Sequence, residues 1–255
     1  MAAEQVEMHQ ALEEAFGRIF SAFEGSRFER RSDLVVILLP GIPVPQFSGA
    51  WVCEDSKAAA AALPEALAEV DAAGEWPWVQ TRLGHDRIRR AAFALGLTHT
   101  ELVPGMVVRP DSFVEVRADI DIGPIAQDEV DETNRLLAAS FNAPIELFSR
   151  FSEGVQRIPE ARWYVARAKG RVVSTAVGFA GREATGIFNV ATPSRYRGRG
   201  YGAAVTSHAL REGFDEGSRF GYLQSSTIGH GVYRRLGFCD VEEYTLLTRP
   251  LAHTP

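Results

Sequence analysis

From Arg195 to Gly202 the chain reads Arg-Tyr-Arg-Gly-Arg-Gly-Tyr-Gly, a spacing of cations and glycines suited to holding an anion. The run Gly186–Thr192 before it has strand character, and a helix rich in small residues follows from Tyr201. The first turn of a helix carries N–H groups without intrahelical acceptors and the positive end of the helix dipole, so it can hold a pyrophosphate without a metal. Glycine at 198, 200 and 202 lets those amides approach phosphate oxygens and adopt conformations closed to other residues. Arg195, Arg197 and Arg199 add positive charge. No Gly-Lys-Ser/Thr follows, which excludes a P-loop. A dinucleotide fingerprint is formally present as Gly198-x-Gly200-x-x-Ala203, but the acidic residues downstream, Asp215 and Glu216, fall at a helix end and not after a second strand. An RNA-binding Arg-Gly segment would be repeated and disordered, whereas this one is single and flanked by apolar elements. A tight turn that happens to be rich in arginine is the remaining alternative.

Several elements must position this loop. From Ser112 onward the patterns predict a strand at Phe113–Ile120, helices within Gln127–Ser140 and Pro144–Val155, and strands at Trp163–Ala168, Val172–Ala180 and Gly186–Thr192. A helix Tyr201–Phe214, a strand Gly221–Gln224, a helix Gly229–Leu236 and a strand Glu243–Thr248 complete that half. In the first half, Leu12, Phe16, Ile19, Phe20 and Phe23 share one face of a helix ending near Gly25. A buried strand is expected at Leu34–Leu39, a Pro-rich loop at Gly41–Gln46, a helix at Ala58–Ala73 broken in pattern only by Pro64, a strand at Trp76–Gln80 and a helix at His85–Leu95. Glu101–Arg109 reads as a strand, edge or bulged because of Pro104 and Gly105.

A repeat runs through this order. Leu95-Gly96-Leu97 and the strand ending at Arg109-Pro110 parallel Leu236-Gly237-Phe238 and the strand ending at Arg249-Pro250, which points to a duplicated domain divided as 1–110 and 111–255. Composition bounds the rest. With 45% hydrophobic and 24% charged residues among 255, and no apolar run of membrane-spanning length, the chain reads as a soluble globular protein. Met1–Gln10 is polar, with Glu4 and Glu7, and lacks the basic and apolar regions of a secretory signal, so the expected compartment is the cytoplasm. Cys53 and Cys239 have no Cys or His neighbour at ligand spacing; buried, inert thiols and no metal are expected. A net charge of −6 argues against a nucleic-acid partner and in favour of a small one.

The residues quoted so far resemble the GNAT superfamily of N-acetyltransferases. Arg197, Gly200 and Gly202 match its Arg/Gln-x-x-Gly-x-Gly/Ala signature, and Ser225-Ser226 followed by Val232-Tyr233-Arg234-Arg235-Leu236-Gly237-Phe238 matches a second motif in the right order. The resemblance covers about Phe113–Pro250. It implies an α+β protein of two GNAT-like domains, each a mixed, mostly antiparallel sheet flanked by helices, the first degenerate. It also implies acetyl-CoA as acyl donor, with the pantetheine arm on Asn189, Val190, Ala191 and Thr192, the pyrophosphate over Arg197, Gly198, Arg199, Gly200, Tyr201 and Gly202, and Tyr233 as general acid. Ser226 stands where many relatives have an Asn beside the pantetheine arm. The implied acceptor is an amine on a small molecule or peptide, and a homodimer is a family-level expectation.

The chemistry suits these residue types: a neutral amine attacks the thioester directly, and the departing thiolate benefits from a positioned proton donor. No base is legible; Glu153, Glu160 and Glu183 read as solvated carboxylates, His208 as packing, and His230, three residues before Tyr233, as a candidate to face the site. The first half lacks the glycine loop, and Ala92 stands where Tyr233 stands in the second, so it is expected to bind no CoA and instead to brace the active half or wall its acceptor pocket. A non-catalytic acyl-CoA sensor is the alternative reading.

Overall fold

A computed structural model describes residues 2–41 and 47–250. In chain order its elements are α1 (Ala2–Ser21), β1 (Arg27–Arg31), β2 (Leu34–Leu38), β3 (Ser48–Val52), α2 (Lys57–Ala72), β4 (Pro77–Arg82), α3 (Asp86–Ala94) and β5 (His99–Val108). Then come β6 (Asp121–Pro124), α4 (Val130–Phe141), α5 (Ile145–Val155), β7 (Ala161–Ala168), β8 (Arg171–Ala180), β9 (Ala184–Ala191), α6 (Tyr201–Asp215), β10 (Phe220–Gln224), α7 (Thr227–Arg235) and β11 (Cys239–Thr248). Of the loop expected at Gly41–Gln46, residues 42–46 lie outside the described residues.

The chain packs as two units, each discontinuous in sequence. One joins the described residues up to Ile19 to Gly105–Val241; the other joins Phe20–Pro104 to the chain from Glu242 on. These bounds differ from a division at 110/111 because each final strand pairs outside its own half. Gly105–Val108 of β5 is antiparallel to Gly221–Gln224 of β10, and Tyr244–Thr248 of β11 is antiparallel to Trp78–Arg82 of β4.

The second unit has strand order β1-β2-β3-β4-β11, with β3–β4 its parallel pair. Strand β1 escaped the sequence reading because Arg27-Phe-Glu-Arg-Arg is too polar to look like one; it is held by β2 pairing across a turn at Ser32 (φ +51°). Leu34, Val36, Ala50, Val52, Val79 and Leu247 bury one sheet face under Leu63, Ala66 and Leu67 of α2 and Ile88 and Ala92 of α3.

The first unit runs β5-β10-β9-β8-β7-β6, with β9–β10 parallel and the rest antiparallel. Its core joins Ala176, Ile187 and Leu223 of the sheet to Val205, Ala209 and Leu210 of α6 and Tyr233 and Leu236 at α7. The expected strand at Phe113–Ile120 is absent. Its donors are taken elsewhere, Val114 N–H by Leu236 O (3.0 Å) and Val116 N–H by Ser207 Oγ (2.9 Å), and strand pairing begins only at Asp121. Pro104 and Gly105 lead one to expect an edge or bulge in β5, but from Gly105 to Val108 the strand is laddered residue for residue with β10.

The order hairpin, strand, helix, strand, helix, strand is the same for β1-β2-β3-α2-β4-α3-β5 and β7-β8-β9-α6-β10-α7-β11. The two helix ends also match in detail: Leu97 N–H donates to Ala92 O and Phe238 N–H to Tyr233 O, with Gly96 (φ +84°) and Gly237 (φ +94°) in the left-handed region where glycine carries no Cβ penalty. Cys53 is buried as expected; Cys239 is exposed. No described helix is long and apolar enough to cross a membrane.

Candidate functional site

The site is a gap between two strands with a loop at its mouth. Parallel pairing of β9 with β10 stops at Gly186–Tyr222. Beyond that point β9 continues to Ala191 paired only with β8, while β10 continues to Gln224 paired only with β5. The facing edge of β9 from Ile187 to Ala191 is left with main-chain donors and acceptors and no ladder partner on that side.

Two features open the gap. A bulge inserts one extra residue in β9, since Val177 lies opposite Phe188 but Thr175 opposite Ala191. Asn189 sits there at φ +49°, a conformation that asparagine tolerates better than most residues. At the apex, a Cβ built on Gly186 would lie 2.6 Å from both Tyr222 Oη and Phe188 Cε2, so two rings fill the space a side chain would take. Helix α1 secures them: Tyr222 Oη donates to Ala11 O at 2.9 Å, and Phe16 packs on Phe188 with centroids 6.3 Å apart. Sequence reading missed Gly186, Phe188 and Tyr222; a glycine followed two residues later by a ring was the available signal.

At the mouth, Tyr196 N–H donates to Pro193 O (2.8 Å), Arg197 N–H to Ser194 O (3.2 Å) and Arg197 Nε–H to Thr192 O (2.9 Å), while Ala204 N–H closes the first turn of α6 on Gly200 O (2.9 Å). Four loop carbonyls are thereby turned to protein donors. No side chain caps the first turn of α6, and the N–H groups from Gly198 to Ala203 have no acceptor among the described residues. Gly198 (φ +76°) and Gly200 (φ +79°) are left-handed, and a Cβ on either would meet nothing within 4 Å. The loop therefore carries acceptor-free donors beside open space. Arg195 lies over the Tyr196 ring (4.9 Å), and Arg197 is spent on Thr192; the Arg199 guanidinium is exposed and has no carboxylate partner among the described residues.

Tyr233 is buried to 8% exposure, and its ring lies over Gly229, where a built Cβ would come within 2.8 Å of Cε2, and edge-on to Phe238 at 5.8 Å. Burial alone pushes the phenol up to about 12. It shares a cluster with Leu223 of β10 and Val190 of β9, one from each side of the gap, and with Tyr196 and Tyr201 of the loop. Ser226 is occupied as the N-cap of α7, accepting from Gly229 N–H at 3.2 Å.

The remaining candidates lie elsewhere. His230 Nε2 is 2.7 Å from Asp240 Oδ1, and Arg234 also approaches Asp240. His208 packs edge-on to Tyr164 at 5.1 Å, and desolvation lowers its pKa against the opposing pull of Glu212, whose Oε1 is 3.2 Å away. Glu183 pairs with Arg219 (2.8 Å), Glu160 is 3.9 Å from Arg18, and Glu153 is exposed.

The acetyltransferase (GNAT) domain family matches residues 121–240, which span β6 to the start of β11 and contain the bulge, the gap, the loop and Tyr233. Among solved structures, a GCN5-related N-acetyltransferase from Kribbella flavida is similar with a TM-score of 0.70 at 19% identity, covering 97% of this chain and 96% of its own. One from Sphaerobacter thermophilus aligns with a TM-score of 0.64 at 16% identity, covering 96% and 91%. A conserved protein of unknown function from Staphylococcus epidermidis aligns with a TM-score of 0.67 at 11% identity, covering 90% and 96%. No curated protein matches. At these identities the solved structures establish the fold, and the family match assigns residues 121–240 to an acetyltransferase (GNAT) domain.

Proposed function

We propose that this chain transfers an acetyl group from acetyl-CoA to a primary amine on a small molecule or peptide. The observation that carries the reading is the loop at the mouth of the gap: amides from Gly198 to Ala203 without acceptors among the described residues, open space beside Gly198 and Gly200, the carbonyls of 192, 193, 194 and 200 taken by protein donors, and Arg199 without a carboxylate partner among the described residues. That donor set fits a pyrophosphate. The unladdered edge Ile187–Ala191 suits an extended amide-bearing chain such as pantetheine, which would pair with main chain at Asn189–Ala191 as an added strand does. When bound, acetyl-CoA supplies the activated acyl carbon and a thiol leaving group.

Within this reading the gap excludes water and aligns the acyl group, and Tyr233 keeps its proton at every physiological pH because burial holds it un-ionised. As the amine nitrogen bonds to the carbonyl carbon and the C–S bond breaks, Tyr233 donates that proton to the sulfur and solvent takes one from the amine. Ser226 contributes by fixing the start of α7, its oxygen accepting from Gly229 N–H as the cap.

The unit containing β1–β4 serves as a degenerate partner. In the position of the glycine loop it has Glu54, Asp55 and Ser56; the Ser56 hydroxyl caps α2 at Ala59 N–H (3.0 Å), and Asp55 accepts from the N–H groups of Arg87 and Ile88. Two carboxylates and a capped helix repel a phosphate. Its parallel pair stays laddered from Ser48–Pro77 to Trp51–Gln80, so no gap opens.

Calorimetric titration with acetyl-CoA tests the reading, on wild type, Gly200→Ala and Gly200→Glu. Both substitutions strain a left-handed residue, but only the glutamate adds a charge where the pyrophosphate sits. The expected result is tight wild-type binding, weaker binding by Gly200→Ala and none by Gly200→Glu. Equal losses in the two variants would reduce Gly200 to a backbone role, and a wild type that does not bind would end the assignment.

A further inference from the structure

The end of β9 is fastened to β8 by two hydroxyls that no part of the mechanism has used. Ser174 is fully buried on β8, and its Oγ donates to Ala191 O at 3.0 Å; its contact with Thr192 Oγ1 is 2.8 Å. A serine has one proton, and a carbonyl can only accept, so the proton of the second bond must come from Thr192. The chain of donation therefore runs Thr192 Oγ1–H to Ser174 Oγ–H to Ala191 O. Thr192 O in turn accepts from Arg197 Nε.

The same threonine accounts for the last glycine of the signature. A Cβ built on Gly202 would lie 3.0 Å from Thr192 Oγ1, closer than carbon and a hydrogen-bonded oxygen comfortably pack. Gly198 and Gly200 face open space at positive φ, so their lack of a side chain serves the loop's conformation and its ligand. Gly202 has ordinary helical geometry and no built Cβ contact other than Thr192; its lack of a side chain makes room for the hydroxyl. Strand β8, the end of β9 and the first turn of α6 thus meet at one point.

We propose that Ser174 is a positioning residue for the phosphate loop, holding the carbonyl of 191 inward and, through the Thr192 hydroxyl, the first turn of α6 against the end of β9. This rests on the acetyl-CoA reading above. Without the latch the Ala191 carbonyl loses its side-chain donor and Thr192 its tie to β8, so the end of β9 and the first turn of α6 lose their alignment and the loop amides no longer converge on a pyrophosphate.

The test is a double-mutant cycle read by calorimetry with acetyl-CoA: wild type, Ser174→Ala, the near-isosteric Thr192→Val, and both together, with Thr192→Ser as the conservative replacement. Each single change is expected to weaken binding about tenfold, or about 1.4 kcal/mol, with the double variant no weaker than either single and Thr192→Ser close to wild type. Should Ser174→Ala not fold, Thr192→Val against Thr192→Ser reads the same bond. Losses that add independently, or a Thr192→Ser no better than Thr192→Val, would overturn the latch while leaving the acetyl-CoA reading in place. Failure of the wild type to bind would overturn both.

Discussion

Tyr233→Phe separates stability from chemistry at one atom. The Tyr233 hydroxyl makes no hydrogen bond to the described residues, and desolvation alone raises its pKa to about 12. Deleting an unpaired hydroxyl from a buried ring removes no native interaction, so at pH 8 the variant should unfold in urea within about 0.5 kcal/mol of wild type. The two should diverge in alkali. A folded-state pKa raised above the unfolded value of about 10 contributes stability that is complete below pH 10 and is lost as pH climbs toward 12. At pH 11 the unfolded phenol is ionised about ten to one and the folded one about one part in ten, so wild type loses about 1.4 kcal/mol that phenylalanine does not. Urea unfolding at both pH values measures the difference directly. With an amine acceptor from a screen, CoA release should fall about 100-fold or more in the variant if Tyr233 is the proton donor, with acetyl-CoA affinity unchanged. A variant destabilised by more than 1 kcal/mol at pH 8 would mean the hydroxyl is bonded after all; one that transfers acetyl groups at the wild-type rate would remove Tyr233 from the chemistry.

Two further substitutions probe the scaffold. Ser226→Ala should cost about 1 kcal/mol in chemical unfolding through loss of the α7 cap, while acetyl-CoA titration changes less than threefold; a large loss of affinity without loss of stability would return Ser226 to ligand contact. Gly237→Ala forces a side chain into a left-handed residue and against the Ser112 carbonyl, so it should destabilise by about 2 kcal/mol or more, and a thermal melt unchanged from wild type would contradict that packing.

Much of the architecture was legible along the chain because its signals are local. Helix-forming composition and pattern set α2, α3 and α6 within a few residues and marked the latter half of α1, which begins ten residues before Leu12, and the apolar run Leu34–Leu39 announced β2. The paired Leu-Gly endings marked α3 and α7 as equivalents, and the structure repeats the same capping hydrogen bonds at both. Errors arose where tertiary partners overrode local preference. Phe113–Ile120 has the composition of a strand, but Leu236 and Ser207 capture its amides; Arg27–Arg31 has the composition of a loop, but pairing with β2 makes it a strand. His230 was drawn to Asp240, ten residues away, and the Ser226 hydroxyl to its own helix.

The sequence by itself determined the glycine loop between strand and helix, since strand, glycines, arginines and helix are contiguous and the donors belong to the backbone of that one segment. It also determined that the first half lacks such a loop. Only the tertiary structure decided where β5 and β11 pair, how far β9 and β10 stay together, and which side chains hold the gap open and the loop in place. Those outcomes rest on contacts such as Tyr222 with Ala11 and Ser174 with Thr192, whose partners are 211 and 18 residues apart. In neither pair do the partners belong to one helix or one strand, so no periodicity along the chain could have brought them together.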